Sequence, residues 1–310
     1  MHSNSPTHNA EHSDQTGILY VVSTPIGNRD DITLRALRIL KEADLIAAED
    51  TRTTGRFLKG HGITGQFVSY HEHNESQRTP TLLKKLSSGL SIALVTNAGT
   101  PSVSDPGYRL ITQAVERGVR VVPIPGVSAA TAALSVSGLP TDAFVFVGFL
   151  ARKRAKRLTQ LKDLVNDPRT LIFYESPRRV RKLTQDILSV MGDRYSVLAR
   201  EMTKLHEEFL RGRLSELDCI FKMRGAIKGE CTLLVSGCPP KIPQGLDTLK
   251  EELHCRLQDK NKNLSEIAKD ISRKYDLPKN TVYAQALRIK NRIAGLNGEH
   301  DDRNDPTYKK

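Results

Sequence analysis

The chain is expected to fold as two successive α/β domains followed by a small helical domain. Three observations predict this. Short apolar, β-branched runs alternate with segments of helical spacing from Ile18 to Ser236, the pattern of βαβ units with right-handed crossovers. Those runs end repeatedly in Gly/Pro loops. Two breaks divide the chain: Gly138-Leu139-Pro140-Thr141-Asp142, and the cluster Pro239, Pro240 and Pro243, beyond which the periodicity is helical. The boundaries that follow are a disordered tail over 1–16, α/β domains over 17–138 and 139–238, a helical domain over 245–296 and a disordered tail over 297–310.

Residues 1–16 are polar, rich in His and Ser, and lack periodicity. Ile18–Ser23 is the first expected strand. Thr24-Pro25-Ile26-Gly27-Asn28 follows as a tight loop, with Asp30 or Asp31 placed to cap a helix that carries Ile32, Ala36, Ile39, Leu40 and Ala43 on one face. Leu45–Ala48 is a second strand ending in Glu49-Asp50-Thr51-Arg52, a charged tetrad directed at the crevice beyond the strand ends. Phe67–Tyr70 is a third, followed by His71-Glu72-His73-Asn74. The stretch Ser91–Arg109 organises the rest. Ile92–Val95 suits a strand buried on both faces. It breaks into Asn97-Ala98-Gly99-Thr100-Pro101 and then Asp105-Pro106-Gly107, after which Tyr108, Leu110, Ile111, Ala114 and Val115 have helical spacing. Strand, turn-rich loop and helix in that order place backbone N–H groups at the carboxyl end of a parallel sheet, where open α/β folds bind ligands. Val119–Pro123 is the next strand. Pro125-Gly126-Val127-Ser128-Ala129 then opens a helix of small residues to about Ser137, with free N–H groups at its start.

The second unit is expected to alternate in the same way. Its strands are Phe144–Phe149, Thr170–Glu175, Val197–Glu201, Glu207–Leu210 with a turn at Gly212, and Cys231–Ser236. Its helices are Lys153–Val165, Pro177–Met191 and Ser215–Met223. In the last segment two short amphipathic helices flank the turn Tyr275-Asp276-Leu277-Pro278, which suits either a helix-turn-helix or an ordinary helical hairpin.

Composition narrows the function. The 310 residues carry a formal net charge of +12, with 38% hydrophobic residues and no Trp. Such an excess of positive charge suits a binder of polyanions. It is also clustered: residues 151–182 hold eleven Arg or Lys against Asp163, Asp167 and Glu175, a net of +8. Arg152, Lys153, Arg154, Lys156, Arg157, Arg178, Arg179 and Arg181 of this cluster, with Arg52 after the second strand, are the candidate phosphate contacts. The longest apolar run, Ala143–Ala151, is half the ~18 residues of a spanning helix. No basic-then-apolar leader is evident, so a cytoplasmic protein without membrane association is expected. Cys219, Cys231, Cys238 and Cys255 show no C-x-x-C spacing and read as reduced thiols, and no metal site is expected from them or from His71-x-His73. There is no Walker loop, no G-x-G-x-x-G, no H-E-x-x-H and no G-x-S-x-G, which argues against nucleoside triphosphatase, dinucleotide oxidoreductase and zinc hydrolase chemistry.

Four Pro/Gly loops at strand ends remain: Pro25–Asn28, Ala98–Pro101, Asp105–Gly107 and Pro125–Ala129. In this order and separation they resemble the tetrapyrrole methylase family, whose members use S-adenosylmethionine. Thr24–Asn28, Ala48-Glu49-Asp50-Thr51-Arg52, Phe173-Tyr174-Glu175-Ser176 and Arg200-Glu201-Met202-Thr203-Lys204 resemble more narrowly the branch that methylates the ribose 2′-hydroxyl of a cytidine in 16S ribosomal RNA. The resemblance runs from about Gly17 to Gly237, and the helical segment is also similar to that branch. It implies a donor site between the two α/β domains, formed by Pro25, Ala98, Gly99, Thr100, Val103, Ser128 and Ala129, with Glu175 and Gly212 from the second domain. It further implies a homodimer and, as partner, 16S rRNA or the assembled small ribosomal subunit. One departure is Asn97, where such proteins usually carry Asp. A ribose hydroxyl needs a base, and the candidates at strand ends are Asp50, His71, Glu201 and Lys204, the lysine only if its surroundings lower its pKa. A small-molecule methylase on the same scaffold, or a non-catalytic RNA-binding assembly factor, are the other readings.

Overall fold

The computed structural model describes residues 16–239, 246–257, 263–275 and 277–298. The expected tails, 1–16 and 297–310, lie outside these apart from Thr16 and the last two residues of the final helix. The chain divides into two compact units, residues 1–238 and 239–310.

The first half of the larger unit runs β1 (Ile18–Val22), α1 (Leu34–Glu42), β2 (Leu45–Ala48), α2 (Thr51–Lys59), β3 (Phe67–Ser69), α3 (Glu75–Ser87), β4 (Ile92–Val95), α4 (Tyr108–Glu116), β5 (Arg120–Ile124) and α5 (Ala129–Ser135). Its five strands pair in the order β3-β2-β4-β1-β5, all parallel. Every residue of β2 and β4 is buried, because helices cover both faces. Leu19, Leu94, Leu83 and Leu110 pack on one face, and Val22, Ile46, Leu40 and Leu58 on the other. β4, β1 and β5 are neighbours, so the loops that follow them leave side by side at the carboxyl edge.

Helix starts follow local chemistry, with one correction. Asp30 and Asp31 do not cap α1. They sit in a 3-10 turn capped by Asn28, while the Thr33 hydroxyl accepts from the Ala36 N–H at 3.1 Å and starts the helix. Thr33 has extended backbone angles and a short oxygen-bearing side chain, which is what the position requires.

The second half comprises β6 (Phe144–Phe149), α6 (Arg154–Asp163), β7 (Thr170–Glu175), α7 (Val180–Met191), β8 (Tyr195–Arg200), β9 (Glu208–Arg213), α8 (Leu214–Arg224) and β10 (Cys231–Val235). The strand order is β6-β7-β10-β8-β9. Only β6 and β7 are parallel. β10 enters between β7 and β8 antiparallel to both, and β8 and β9 form a hairpin because no helix separates them. Gly212 lies within β9 and is not the turn. Alternate residues of β7 serve opposite faces. Leu171 and Phe173 pack with Leu183, Leu217 and Phe221 under the helices. Ile172 faces the other way and, with Val197 and Leu234, meets Ala130, Ala133 and Leu134 of α5. The small side chains of α5 thus let the second sheet approach the first half, and one apolar cluster joins the two.

The smaller unit holds α9 (Leu246–Leu257), α10 (Leu264–Tyr275) and α11 (Lys279–Gly298). Leu253, Ile267, Ile271, Val282 and Ala286 form its core. The turn between α10 and α11 is closed by Ser272, whose hydroxyl donates to the Leu277 carbonyl at 2.6 Å while its own carbonyl accepts from the Leu277 N–H. Asp276 of the expected turn lies outside the described residues. No helix among the described residues is long and apolar enough to cross a membrane.

Candidate active site

The three loops at the carboxyl edge of β1, β4 and β5 are laced together. Thr24 and Gly99 exchange backbone hydrogen bonds of 2.8 and 3.0 Å. The Ser23 and Thr100 hydroxyls lie 2.9 Å apart, and the Thr100 hydroxyl also reaches the Val127 carbonyl. Between these loops and the second sheet lies a cavity of about 400 Å³. Of the expected donor contacts, Ala98, Gly99, Thr100, Val103, Ser128, Ala129 and Glu175 line it. A second cavity of about 300 Å³ adjoins it and is lined by Pro25, with Arg29, Arg56, Asn97 and Lys204. Gly212 lines neither. Its carbonyl accepts from the Ser196 hydroxyl inside the sheet, and a Cβ there would fall 2.4 Å from a Glu216 carboxylate oxygen.

The first cavity is acidic on an apolar ground. Asp105 lines it, with its carboxyl pushed up to about 7 by burial and then by the charge of Glu49. Glu175 is buried; one oxygen accepts from the Ser176 N–H at 2.7 Å and from Arg179 Nε at 2.8 Å. Phe149, half-exposed beside Tyr174, and Ile26, Val103 and Met202 supply apolar wall. The Tyr174 hydroxyl accepts from the Ala130 N–H at 3.1 Å, so one of the amides expected to be free at the start of α5 is occupied. Asp105 and Tyr174 stand inside motifs legible in the sequence, yet only the fold turns them into the cavity. Glu230, Cys231 and Thr232 also line it and carry no motif.

The four candidate bases separate. Asp50 caps α2: one carboxylate oxygen accepts from the Arg52 and Thr53 N–H groups at 2.8 and 3.1 Å, and these bonds, the Thr53 bond foremost, hold its pKa below the usual range. It lines neither cavity, nor does His71. His71 Nε2 accepts from the Asn74 amide at 3.1 Å, and its Nδ1 is buried without a partner among the described residues. Glu201 and Lys204 do come together. Lys204 Nζ lies 3.0 Å from Glu201 Oε1 and 3.2 Å from Glu230 Oε2. Burial pulls the Lys204 pKa down, but the hydrogen bonds to the two carboxylates outweigh it and the net shift is upward. Lys204 is therefore an ammonium and does not meet the condition for a base. Glu201 is held low chiefly by the Glu230 N–H, with Lys204 adding to it.

This junction is built under constraint. Glu201 and Thr203 have φ of +49° and +65°, conformations that cost non-glycine residues of order 1 kcal/mol or more. Gly229 allows the approach: its φ is +89°, and a Cβ there would fall 2.3 Å from Glu201 Cγ. From the other side, the Thr203 hydroxyl accepts from the Asn28 N–H at 3.0 Å.

The basic cluster is only partly a surface. Arg157 is buried and bound to Asp186 by Nε at 2.8 Å and Nη2 at 2.6 Å, so it does not face solvent. Arg154 reaches the same carboxylate, Arg179 pairs with Glu175 and Arg181 with Asp218. Arg52, Arg152, Lys153, Lys156 and Arg178 are exposed. All four cysteines are unpaired, and among the described residues no group of three or more His, Cys, Asp or Glu is placed to hold a metal ion.

Comparison with known proteins agrees with this architecture. The family model "Tetrapyrrole (Corrin/Porphyrin) Methylases" matches residues 18–218. The chain is 48% identical over 229 residues to the ribosomal RNA small subunit methyltransferase I of Halalkalibacterium halodurans, covering 74% of this chain and 79% of that protein. It is 42% identical over 286 residues to the protein of the same name from Haemophilus influenzae, covering 89% and 98%. Among solved structures, uroporphyrin-III C-methyl transferase from Thermus thermophilus, complexed with S-adenyl homocysteine, shares the fold with a TM-score of 0.52 at 20% identity, covering 71% of this chain and 97% of that one. With the family model covering the first sheet and every strand of the second but β10, and the relatives extending through most of the chain, this protein belongs to the tetrapyrrole methylase family.

Proposed function

We propose that the protein is an S-adenosylmethionine-dependent methyltransferase that methylates the ribose 2′-hydroxyl of a cytidine in 16S ribosomal RNA. The observation that carries the reading is the acidic cavity of about 400 Å³ assembled from the loops that mark the family. Its residues fit the donor. S-adenosylmethionine carries a sulfonium and an ammonium, and Asp105 and Glu175 supply negative charge around an apolar wall. When bound, it supplies an activated methyl group. The protein's part is then to align the acceptor, exclude water and receive a proton. The acceptor class is supported by the names of the relatives and by the net charge of +12. Arg29, Arg56 and Lys204 make the adjoining cavity cationic, as a site for a nucleotide flanked by phosphates should be.

Asn97 does not favour the non-catalytic reading. Its N–H donates to Glu49 Oε2 at 3.1 Å, a backbone contact that either side chain permits. A homodimer, a cytoplasmic location, and the division into domains over 17–138, 139–238 and 245–296 belong to the same proposal.

Labelled S-adenosylmethionine incubated with small ribosomal subunits lacking the modification tests it. Label recovered on a cytidine 2′-oxygen after nuclease digestion is the expected result. Donor binding without label in RNA would send the search to small-molecule acceptors.

A further inference from the structure

The two cavities meet at Ile26, Ala98 and Glu230, and among the described residues Glu230 is the one ionisable side chain that lines both. We propose that Glu230 is the proton acceptor of the reaction: the acceptor ribose occupies the second cavity and passes its 2′-hydroxyl proton to this carboxylate as the oxygen is methylated. This rests on the methyl-transfer reading above.

A methyl group held in the first cavity and an oxygen held in the second can meet only at the shared wall, and a base must stand within hydrogen-bond reach of that oxygen. The four sequence candidates do not stand there as free bases. Asp50 and His71 line neither cavity, Lys204 is an ammonium, and Glu201 is outside both cavities with Oε1 committed to Lys204 and the Glu230 N–H. Glu230 differs in having a fixed backbone and an open carboxylate. Its N–H donates to Glu201 Oε1 at 2.8 Å and its carbonyl accepts from the Glu201 N–H at 3.0 Å. Its side chain is 71% exposed; Oε2 lies 3.2 Å from Lys204 Nζ, and Oε1 meets no donor among the described residues.

The step balances without a further reactant. The 2′-oxygen bonds to the methyl carbon, the carbon–sulfur bond breaks with its electron pair going to sulfur, and the hydroxyl proton goes to Glu230. A carboxylate is a weak base toward an alcohol, but the oxygen becomes strongly acidic as the new bond forms, so a positioned carboxylate suffices. Lys204 steers Glu230 and has a remaining N–H for an oxygen of the acceptor.

Substitution of Glu230 by Gln and by Asp in the full chain tests the assignment. The expected result for Glu230→Gln is a kcat lower by about 10²–10⁴-fold, the contribution of a positioned base. Donor affinity by calorimetry and affinity for unmethylated small subunits by filter binding should be unchanged. Glu230→Asp, which keeps the carboxylate on a shorter stem, should keep part of the activity. A Glu230→Gln protein that turns over at the wild-type rate, or whose whole loss lies in donor or subunit affinity, overturns the proposal. Failure of the wild-type protein to label RNA is a separate result, and removes the methyl-transfer reading itself.

Discussion

Asp105 and Arg157 show how far a side chain's role depends on what surrounds it. Burial, and then the charge of Glu49, pushes the Asp105 carboxyl up to about 7 from 3.8 for an ordinary aspartate. A raised acid contributes stability that is complete below the unfolded value and is lost as pH rises through the folded one, so ionising Asp105 costs stability. A cationic donor reverses the balance by favouring the carboxylate. Donor affinity measured by calorimetry should therefore strengthen between about pH 6 and 8. Asp105→Asn should flatten that profile and weaken binding by about tenfold or more at the upper end, the scale of one charge-assisted hydrogen bond. Arg157 is the opposite case, a cation removed from solvent. Arg157→Ala leaves Asp186 buried with only the largely exposed Arg154 as partner, and should cost about 3–5 kcal/mol, the range for breaking a buried pair. A lowered denaturation midpoint with unchanged affinity for small subunits would identify it as structural.

At the scale of elements, the site depends on two segments held close by what their backbones permit. The turn from β8 to β9 carries Glu201 and Lys204, and the loop before β10 carries Gly229 and Glu230. Glu201 and Glu230 exchange main-chain and side-chain hydrogen bonds across the gap. Gly229→Ala places a Cβ 2.3 Å from Glu201 Cγ at a φ of +89°. Glu201 must move, and with it the ammonium between the two carboxylates. Activity should fall by about tenfold or more, as sub-ångström misplacement of positioning groups does, while circular dichroism of the folded protein stays unchanged. Loss of the fold instead would make Gly229 a residue of general stability. α5 is the other decisive element. Its run Ala129-Ala130-Thr131-Ala132-Ala133 reads in sequence as a place of close approach, and its partner is the face of the second sheet that carries Ile172, Val197 and Leu234.

For the whole molecule, the distribution of charge separates binding from folding. Arg152, Lys153, Lys156 and Arg178 are exposed, whereas Arg154, Arg157, Arg179 and Arg181 are committed to carboxylates. Neutralising the exposed set should reduce the salt dependence of subunit binding by about one in slope for each phosphate left without its cation. Neutralising Lys85, exposed near the end of α3 and at the amino edge of the first sheet, away from the cavity at its carboxyl edge, should leave it unchanged. Equal effects from both would mean that only net charge is sensed.

Much of this is legible in the amino-acid sequence. Strands Leu45–Ala48, Ile92–Val95 and Thr170–Glu175 coincide with the runs expected, because burial on two faces leaves a continuous apolar signature. The edge strand Phe144–Phe149 coincides as well, on β-branched and aromatic residues, although both its ends are exposed. Six of the expected donor contacts, Ala98, Gly99, Thr100, Val103, Ser128 and Ala129, line one cavity because Gly/Pro turns after buried strands of a parallel sheet must emerge at one edge, and Glu175 joins them from the end of β7 in the second sheet. Pairing direction is not legible. β10 arrives antiparallel between two strands distant in sequence, and nothing local in Cys231–Val235 records its neighbours. Burial of a charge is not legible either, so Arg157 looks like its exposed neighbours until Asp186 stands opposite it. Glu230 has no pattern around it at all. Periodicity, turns and caps are written in adjacent residues, whereas the identity of the side chain at the junction of two cavities depends on contacts among four loops separated by up to about two hundred positions, and only the tertiary structure decides it.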